Sequence, residues 1–411
     1  MAWVQTARPP VASAFAEVAH TPSRLPDIAW SHPEASLRAS GFGAAALRGE
    51  LSLRDVLSGL EMPPGLPAQL PGPWLGAASF SGTLGPDWVG FAPVQFRLPS
   101  LFAWSAGGRH FLAAFGDDAR RRLDAARGPL DAAEPAAVPL RAAASVRRLA
   151  RSGERANWNA LVTRALADIR AGALDKVVVA RAIDVEADAP LDPSALLHAL
   201  EARYPTCRGF LIRGSGAVFL GATPELLCRI DGAEVQADAL AGSAPPSEAD
   251  SLPGSRKDLR EHQSVVDHIA AALSGIAEHV HRPLEPRVRA LANVAHLHTP
   301  VVARLAPGRG VADVAAALHP TPAVGGVPSA AALRFLAEHE NLDRGLYAGL
   351  VGWVGEGRAE LAVALRSALV RGRRARLFVG AGIVEGSSPE AEWEETELKA
   401  HALLDALGAR P

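Results

Sequence analysis

Acidic residues are concentrated near the end of the chain, in the stretch SSPEAEWEETELKAH at positions 387–401. A helix turns about 100° per residue, so Glu392, Glu395 and Lys399 would share one of its faces. The separate apolar face of the same helix is formed by Trp393, Ala400, Leu403, Leu404 and Leu407. An acidic first turn followed by a Glu–Lys pair is typical of a solvated helix surface. Carboxylates on one helix face could also bind a divalent cation, and the segment alone leaves both interpretations open.

A second helix is predicted from about Lys257 to Val280, beginning in the stretch SRKDLREHQ. Its apolar stripe consists of Leu259, Val266, Ile269, Leu273, Ile276 and Val280. Glu261 lies roughly 110° from this stripe, whereas His262 falls on it and is predicted to pack in the core. Mg²⁺ commonly takes one or two carboxylates, several waters and an anionic substrate. One carboxylate from each helix would suit it, although spacing alone does not show that the helices meet.

Two strand ends carry ionisable residues that could act as an acid and a base. Lys176 opens the apolar strand KVVVARAIDV. It is either an edge residue with a solvated ammonium or, if desolvated, a general base with a lowered pKa. Glu225 follows Thr223 and Pro224 at the mouth of another strand. Apolar neighbours could keep its carboxyl protonated as a general acid, and a strand-edge glutamate is the alternative.

Arg366 lies in the predicted strand LAVALRSALV, on a face otherwise made of small residues. These neighbours are Ala362, Ala364 and Ala368. Small residues beside a guanidinium leave room for a ligand carboxylate, which arginine binds through two parallel hydrogen bonds. A structural salt bridge would explain the same pattern, so both interpretations stay open.

Several common catalytic signatures are missing from the sequence. The segment GAGIVEG at 380–386 offers backbone N–H groups to an anion, but it is not the GxGxxG fingerprint of a dinucleotide site. His296 and His298 lie two positions apart without an accompanying cysteine or HExxH motif, which disfavours a zinc site. No GxSxG or Cys/His signature indicates nucleophilic catalysis.

The composition is that of a soluble globular protein of 411 residues, 48% hydrophobic and 21% charged. A formal net charge of -2 disfavours nucleic-acid and membrane-surface binding. No stretch approaches the ~20 apolar residues of a membrane span. The two cysteines, Cys207 and Cys228, form no CxxC pattern, and the first fifteen residues lack the pattern of a signal peptide. We therefore expect a cytoplasmic protein.

The elements that must position these residues are mostly strands joined by short turns. Hairpins are predicted around Gly107-Gly108, Ser215-Gly216 and Asp231-Gly232. Helical spacing recurs from Trp158 to Ile169, and the last helix is predicted to begin at Ser387 or Ser388 with Pro389 near its first position. Because hairpins outnumber βαβ units, we predict an α+β fold of layered, mostly antiparallel sheets flanked by helices.

Several segments, in this order, resemble the chorismate-utilising enzymes, and the isochorismate synthases most closely. They are DKVVVAR (175–181), GATPELL (221–227), ALAGS (239–243), SRKDLREH (255–262), HLHT (296–299), LHPTPAVGGVP (318–328), DRGLYAGLVGW (343–353), VALRSA (363–368), GAGIV (380–384) and EWEETELK (392–399). The resemblance implies the large single domain of that family over residues 1–411. Residues 151–411 would be the catalytic core and residues 1–150 a less specific N-terminal portion, with the Ala/Pro-rich stretch at 125–148 between them.

The resemblance also implies a role for each candidate residue. Lys176 would activate the water that attacks ring carbon C2 of chorismate, and Glu225 would protonate the departing C4 hydroxyl. Glu261 and Glu395 would bind Mg²⁺, with Glu392 close by and acting through water. The residues implied to hold the substrate carboxylates are Arg366, Gly380, Gly382 and Lys399. The residues implied to line the pocket are His296, Ser243 and Ala323.

The resemblance leaves two rival functions. Anthranilate and aminodeoxychorismate synthases differ at LHPTPAVGG and lack the lysine, whereas salicylate synthases retain it and further eliminate pyruvate. A chorismate-binding partner subunit without chemistry of its own is the rival of another class. Ser243 stands where the family more often has threonine, so the hydroxyl is kept. The family also implies a monomer whose product feeds menaquinone, siderophore or salicylate biosynthesis, with neither nucleic acid nor membrane as a partner.

Overall fold

The computed structural model describes residues 13–18, 26–32, 37–49, 52–63, 66, 70–106, 109–132, 145–290 and 294–409. The predicted turn at Gly107-Gly108 lies outside the described residues, but the strands on both sides of it pair, with Ala106 opposite Arg109. Positions 133–144, which form half of the predicted Ala/Pro-rich boundary, also lie outside them.

Short apolar runs bounded by Gly, Pro and Asp residues form the strands. The first ten are β1 (Ser13–Val18), β2 (Ile28–His32), β3 (Leu37–Gly49), β4 (Trp74–Ala78), β5 (Val94–Ala106), β6 (Arg109–Phe115), β7 (Val146–Arg148), β8 (Lys176–Ala187), β9 (Arg208–Arg213) and β10 (Val218–Thr223). They are followed by β11 (Leu226–Asp231), β12 (Glu234–Ala244), β13 (Ala277–His281), β14 (Arg287–Ala290), β15 (Ala295–Leu305), β16 (Gly326–Val327), β17 (Leu350–Gly355), β18 (Arg358–Val363), β19 (Ser367–Arg371) and β20 (Arg374–Val384).

The helices are α1 (Leu53–Ser58), α2 (Ala119–Ala132), α3 (Glu154–Arg170), α4 (Pro193–Arg203), α5 (Arg256–Ser274), α6 (Val311–Leu318), α7 (Ser329–His339) and α8 (Pro389–Leu407). The start of α8 agrees with the prediction, since the Ser388 side chain accepts a hydrogen bond from the Ala391 N–H and Pro389 is the first helical residue. Across these described segments, no helix is both long and apolar enough to cross a membrane.

The predicted end of α5 at Val280 is wrong, because the helix ends at Ser274 and is capped by Gly275. Residues 277–281 form β13 instead, which pairs with β15. The apolar spacing of Ile276 and Val280 fits a helical stripe, but both side chains pack on the core from outside the helix. Pairing with a strand distant in sequence overrides the local helical pattern here.

All the pairs between these strands are antiparallel, which confirms the predicted α+β fold. β5 joins two arms of the sheet, because it pairs with β3 along one edge and with β4 and β6 along the other. The first arm continues from β3 through β2, β9, β10, β19, β20 and β8. The second arm continues from β4 through β17, β18, β11, β12 and β15.

One cluster of buried apolar side chains connects the two arms. Phe219 and Phe378 belong to the first arm and Leu361 to the second, and all three lie in this cluster. Phe96 of β5 and Trp88 contribute to it from the first 150 residues. The N-terminal portion and the proposed catalytic core therefore share one hydrophobic core.

The chain passes between the arms at two neighbouring crossovers. The segment between β10 and β11 contains Glu225, and the segment between β18 and β19 contains Arg366. The Glu225 carbonyl accepts a hydrogen bond from the Val363 N–H (3.1 Å), and the Arg366 carbonyl accepts one from the Ala222 N–H (3.2 Å). The prediction that Arg366 lies inside a strand is therefore wrong. It lies at a break between β18 and β19, with a left-handed φ of 49°.

Candidate active site

A cavity between the two arms brings together most of the residues predicted to bind or convert a ligand. Glu225 and Arg366 enter it from the crossovers, and Glu261 and Lys399 from α5 and α8. The other predicted residues that line it are Ser243, His296, Ala323, Gly380 and Gly382. Residues separated by up to 174 positions along the chain (225 to 399) therefore meet at one place.

A second, larger cavity of about 580 Å³ lies beside α3 and the end of α7. Its lining includes Arg151, Trp158, Arg164 and Leu342, and none of the described residues predicted to bind substrate or metal is among those that line it. Volume alone therefore does not identify the site, and the convergence of ionisable groups marks the smaller cavity as the candidate.

Lys176 and Glu261 form a buried ion pair, with Nζ 3.0 Å from Oε1. The lysine is only 1% exposed, so its ammonium does not reach solvent as an edge residue would. Burial alone would raise the pKa of Glu261, but Lys176, Lys399 and Lys257 together outweigh it and hold that pKa below its usual value. The Glu261 carboxylate therefore stays ionised beside the ammonium.

Gly382 makes the close approach of α5 to β20 possible. A Cβ at this position would overlap Glu261 Oε1 and would lie 3.2 Å from Lys176 Cε. Any larger residue would have to displace the carboxylate from the lysine. The glycine is thus required by packing at the ion pair, and its φ lies outside the left-handed region.

Glu225 has the properties of a carboxylic acid that remains protonated near neutral pH. It is 5% exposed, and burial raises its pKa to about 8, although Lys176 and Lys399 act in the opposite direction. The preceding turn is fixed by Thr223, whose hydroxyl donates to the Val363 carbonyl at 2.6 Å and accepts from the Glu225 N–H at 3.3 Å. A protonated carboxyl in a fixed position can serve as a general acid.

Cationic groups border the same cavity. Arg366 is 8% exposed, and burial lowers the pKa of its guanidinium. Lys399 Nζ lies 2.6 Å from Glu395 Oε1 and donates to the Gly380 carbonyl at 3.1 Å. A guanidinium and an ammonium in a partly desolvated cavity can bind a ligand carrying carboxylates.

The two histidines of HLHT have different partners. His296 Nδ1 lies 3.1 Å from both Ser243 Oγ and the Gly242 carbonyl, and burial holds its pKa well below the usual value. His296 is therefore a neutral polar group in the cavity wall. His298 Nε2 instead lies 3.2 Å from Asp238. His262 is buried with Nε2 2.8 Å from Thr299 Oγ1, which confirms that it packs in the core.

The three predicted metal ligands are each paired with a different lysine. The pairs are Glu261 with Lys176, Glu395 with Lys399, and Glu392 with Lys257, the last at 2.7 Å. Within the described part of the chain, no three His, Cys, Asp or Glu side chains are close enough together to hold a metal ion. The ligand set therefore remains a proposal rather than an observed cluster.

The side chains nevertheless fit a magnesium ion in the chemistry of their donors. Glu392 is 1% exposed and its Oε2 has no hydrogen-bond partner in the described residues. Burial raises the pKa of Glu392, and the nearby Glu395 carboxylate raises it further. A cation near these two groups would relieve both the repulsion and the unsatisfied oxygen, and carboxylate oxygens are the ligands that Mg²⁺ prefers.

The side chains that sequence reasoning missed include two aromatic residues of the cavity wall and the lysine that pairs with Glu392. Tyr347 and Phe378 line the cavity and stack with ring centroids 5.3 Å apart. Tyr347 lies in the motif DRGLYAGLVGW, but the motif alone does not indicate that its side chain lines the cavity. Lys257 lies in SRKDLREH, but a lysine in the first turn of a helix resembles a solvated surface residue.

The chain is similar to characterised proteins over most of its length. A family model described as chorismate binding enzyme matches residues 69–408. Isochorismate synthase EntC of Escherichia coli (strain K12) is 34% identical over 341 residues, which cover 80% of this chain and 83% of that protein. The salicylate biosynthesis isochorismate synthase of Pseudomonas aeruginosa is 42% identical over 265 residues, which are 62% of this chain and 56% of that relative.

The fold is likewise similar to that of solved structures. The structure of MenF, the menaquinone-specific isochorismate synthase from Escherichia coli, aligns with a TM-score of 0.80 at 26% identity, over 97% of this chain and 96% of that one. The family match covers well over half of the sequence. It includes all the motifs, between residues 175 and 399, on which the resemblance is based. The chain therefore belongs to the family of chorismate binding enzymes.

Proposed function

We propose that this chain is an isochorismate synthase, an isomerase that converts chorismate to isochorismate. The observation that carries the proposal is the arrangement of two groups: Glu225, protonated by burial in a cavity bordered by cationic groups, and Lys176, which pairs with Glu261 in the wall of that cavity and acts electrostatically on Glu225. The names of the relatives support the same reaction. A base, an acid and a binding site for carboxylates are the groups that the isomerisation requires.

In the proposed reaction, water adds at ring carbon C2 and the C4 hydroxyl leaves. Lys176, after releasing the ammonium proton of its pair with Glu261, takes a proton from the water as the water oxygen bonds to C2. Both conjugated double bonds of the ring shift by one position (C1=C2 to C1=C6 and C5=C6 to C4=C5), the C4–O bond breaks, and Glu225 gives its proton to the departing oxygen. One water is added and one is released, so that substrate and product are isomers and no covalent intermediate with the protein forms.

The substrate would be held through its carboxylates. Arg366 and Lys399 supply the positive charges, and the backbone at Gly380 and Gly382 lets the ligand approach β20 closely. His296 and Ser243, linked to each other at 3.1 Å, form a polar wall of the same cavity. Binding at both ends of the ring would orient C2 toward the base and C4 toward the acid.

We further propose that Glu261 and Glu395 bind Mg²⁺, with Glu392 acting through water. When bound, the ion would neutralise negative charge on a substrate carboxylate and help to orient the ring. The chain's own contribution is to present Glu261 from α5 and the other two carboxylates from α8. Each of the three carboxylates is paired with one of the lysines described above.

Product analysis of the purified chain tests this function directly. With chorismate and Mg²⁺, the expected product is isochorismate without pyruvate, and chelation of the metal by EDTA should abolish turnover until Mg²⁺ is added back. Release of pyruvate would instead identify a salicylate synthase. Failure to convert bound chorismate with Mg²⁺ present would identify a non-catalytic binding subunit and would overturn the proposal.

Replacement of Gly382 by alanine is expected to lower kcat by at least about tenfold, because the new methyl group would displace the Glu261 carboxylate from Lys176. The Mg²⁺ concentration needed for half-maximal activity should rise as well. Gly254→Ala is the matched control, since a Cβ at Gly254 meets no atom within 4 Å. Steady-state kinetics at several Mg²⁺ concentrations would measure both effects. Equal activity in the two variants would contradict the close packing inferred at Gly382.

The relatives are named for menaquinone and salicylate biosynthesis, so the reaction they share is the formation of isochorismate. We propose that this chain supplies isochorismate to menaquinone or siderophore biosynthesis. Its monomeric state and its cytoplasmic location remain predictions from the sequence.

A further inference from the structure

Three lysines and three glutamates form a charge-balanced group beside the cavity. The pairs are Lys176 with Glu261 (3.0 Å), Lys399 with Glu395 (2.6 Å) and Lys257 with Glu392 (2.7 Å). Two of these lysines already have roles in the proposed function, as the base and as a substrate ligand. The mechanism gives no role to Lys257.

Lys257 covers a carboxylate that is more deeply buried than itself. Its side chain is 34% exposed, whereas that of Glu392 is 1% exposed. Only one oxygen of Glu392 is paired with the ammonium, and the other has no hydrogen-bond partner in the described residues. The ammonium therefore compensates the buried charge incompletely, and the second oxygen could accept another cation.

Lys257 interacts electrostatically with more than its direct partner. Burial alone would lower the pKa of its ammonium, but Glu392, Glu395 and Glu261 together hold that pKa above its usual value. Arg260, one turn further along α5, is different, because it pairs with the exposed Glu385 at the surface. Lys257 is thus placed within the field of all three proposed metal ligands.

We propose that Lys257 acts as a built-in monovalent cation that competes with Mg²⁺ for Glu392 and weakens metal binding until chorismate is present. This inference rests on the metal site of the proposed function. A divalent ion entering the balanced group alone adds two uncompensated positive charges. Chorismate, with its two carboxylates, supplies the missing negative charge, so that metal and substrate favour each other's binding.

Removal of this positive charge should strengthen metal binding in the absence of substrate. For Lys257→Met, we expect Mn²⁺, used as a probe for Mg²⁺, to bind about tenfold more tightly at low ionic strength, because one like charge beside a divalent ion is lost. The further gain in Mn²⁺ affinity when chorismate is added should be smaller in this variant than in the unmodified chain.

Calorimetric titration of the purified full chain with MnCl₂, with and without saturating chorismate, tests these expectations. Lys257→Arg keeps the charge and should bind Mn²⁺ as the unmodified chain does. Arg260→Met removes one positive charge from the same helix, at a residue that pairs with the exposed Glu385 rather than with a proposed metal ligand, and should leave the affinity unchanged. If Lys257→Met does not fold, Lys257→Gln carries the same test.

The outcomes separate this inference from the proposed function. Unchanged or weaker Mn²⁺ binding by Lys257→Met, with normal binding by the unmodified chain, would overturn the competition alone. Absence of Mn²⁺ binding by the unmodified chain, both with and without chorismate, would overturn the metal site itself. Tighter binding by both Lys257→Met and Arg260→Met would show a general charge effect and would also overturn the specific role of Lys257.

Discussion

Replacement of Lys176 by alanine is expected to lower kcat for chorismate by at least about a hundredfold, the usual contribution of a general base. Chorismate should still bind, since Arg366 and Lys399 remain in the cavity. Kinetics would measure the turnover, and direct titration with chorismate would measure the affinity. A strongly reduced turnover with near-normal affinity would identify Lys176 as the base. Full activity of the purified variant would exclude Lys176 from the chemistry.

The structure also predicts a cost in stability for this variant, because Glu261 would lose its partner inside the protein. Removing one member of a buried ion pair typically costs about 3–5 kcal/mol. Lys176→Arg separates the two effects, since it keeps a positive charge but cannot give up a proton near neutral pH. Partial rescue of Lys176→Ala by added methylamine would show that an amine, and not merely a cation, is required.

Features with a local cause could be predicted from the sequence. The hairpin expected around Asp231-Gly232 is present: Asp231 pairs with Glu234, and the turn is formed by Gly232, at a positive φ of 59°, and Ala233. Helix α8 begins at Ser388 and Pro389 because the hydroxyl of one accepts a backbone hydrogen bond and the ring of the other suits a first helical position. Both signals depend on a few neighbouring residues, so no tertiary information is needed to recognise them.

The geometry of the candidate site could not be predicted in this way. Spacing placed Arg366 inside a strand, but contacts between the two arms hold it at a left-handed break. The pKa of Glu225 depends on burial by segments far away in the sequence. The motif resemblance identified both residues, whereas local periodicity described neither environment. Ionisable groups acquire their chemistry from tertiary packing, which a helical or strand pattern does not encode.

The pairing of Lys257 with Glu392 illustrates the same limit of local patterns. A lysine in the first turn of α5 and a glutamate in the first turn of α8 each resemble solvated positions. Only the approach of the two helices shows that the glutamate is buried and that the lysine compensates its charge. Whether the acidic segment at 387–401 is a solvated helix surface or part of a cation site therefore depends on where α5 lies against α8.

Replacement of Glu225 by glutamine is expected to abolish proton donation and to lower kcat by at least about a hundredfold. Glutamine has nearly the same shape, so substrate binding and the fold should be kept. In the unmodified chain, activity should fall as the pH rises through about 8, where Glu225 loses its proton. The residual activity of the variant should lack this decline, and a retained decline at the same pH would assign it to another group.

The same substitution should change how stability depends on pH. The pKa of Glu225 is raised from 4.5 to about 8 on folding, so between these values the folded chain holds a proton that the unfolded chain releases. The contribution of this group to the free energy of unfolding therefore falls as the pH rises from about 5 to 8. Glutamine does not titrate, so Glu225→Gln should lose less stability over this range.

Urea unfolding of both proteins at the two pH values would measure the difference, which is expected to be on the order of a few kcal/mol. Equal pH dependence would mean that Glu225 is ionised in the folded chain and could not be the acid. A more stable but inactive variant would instead show that the buried acid is kept for catalysis at the expense of stability.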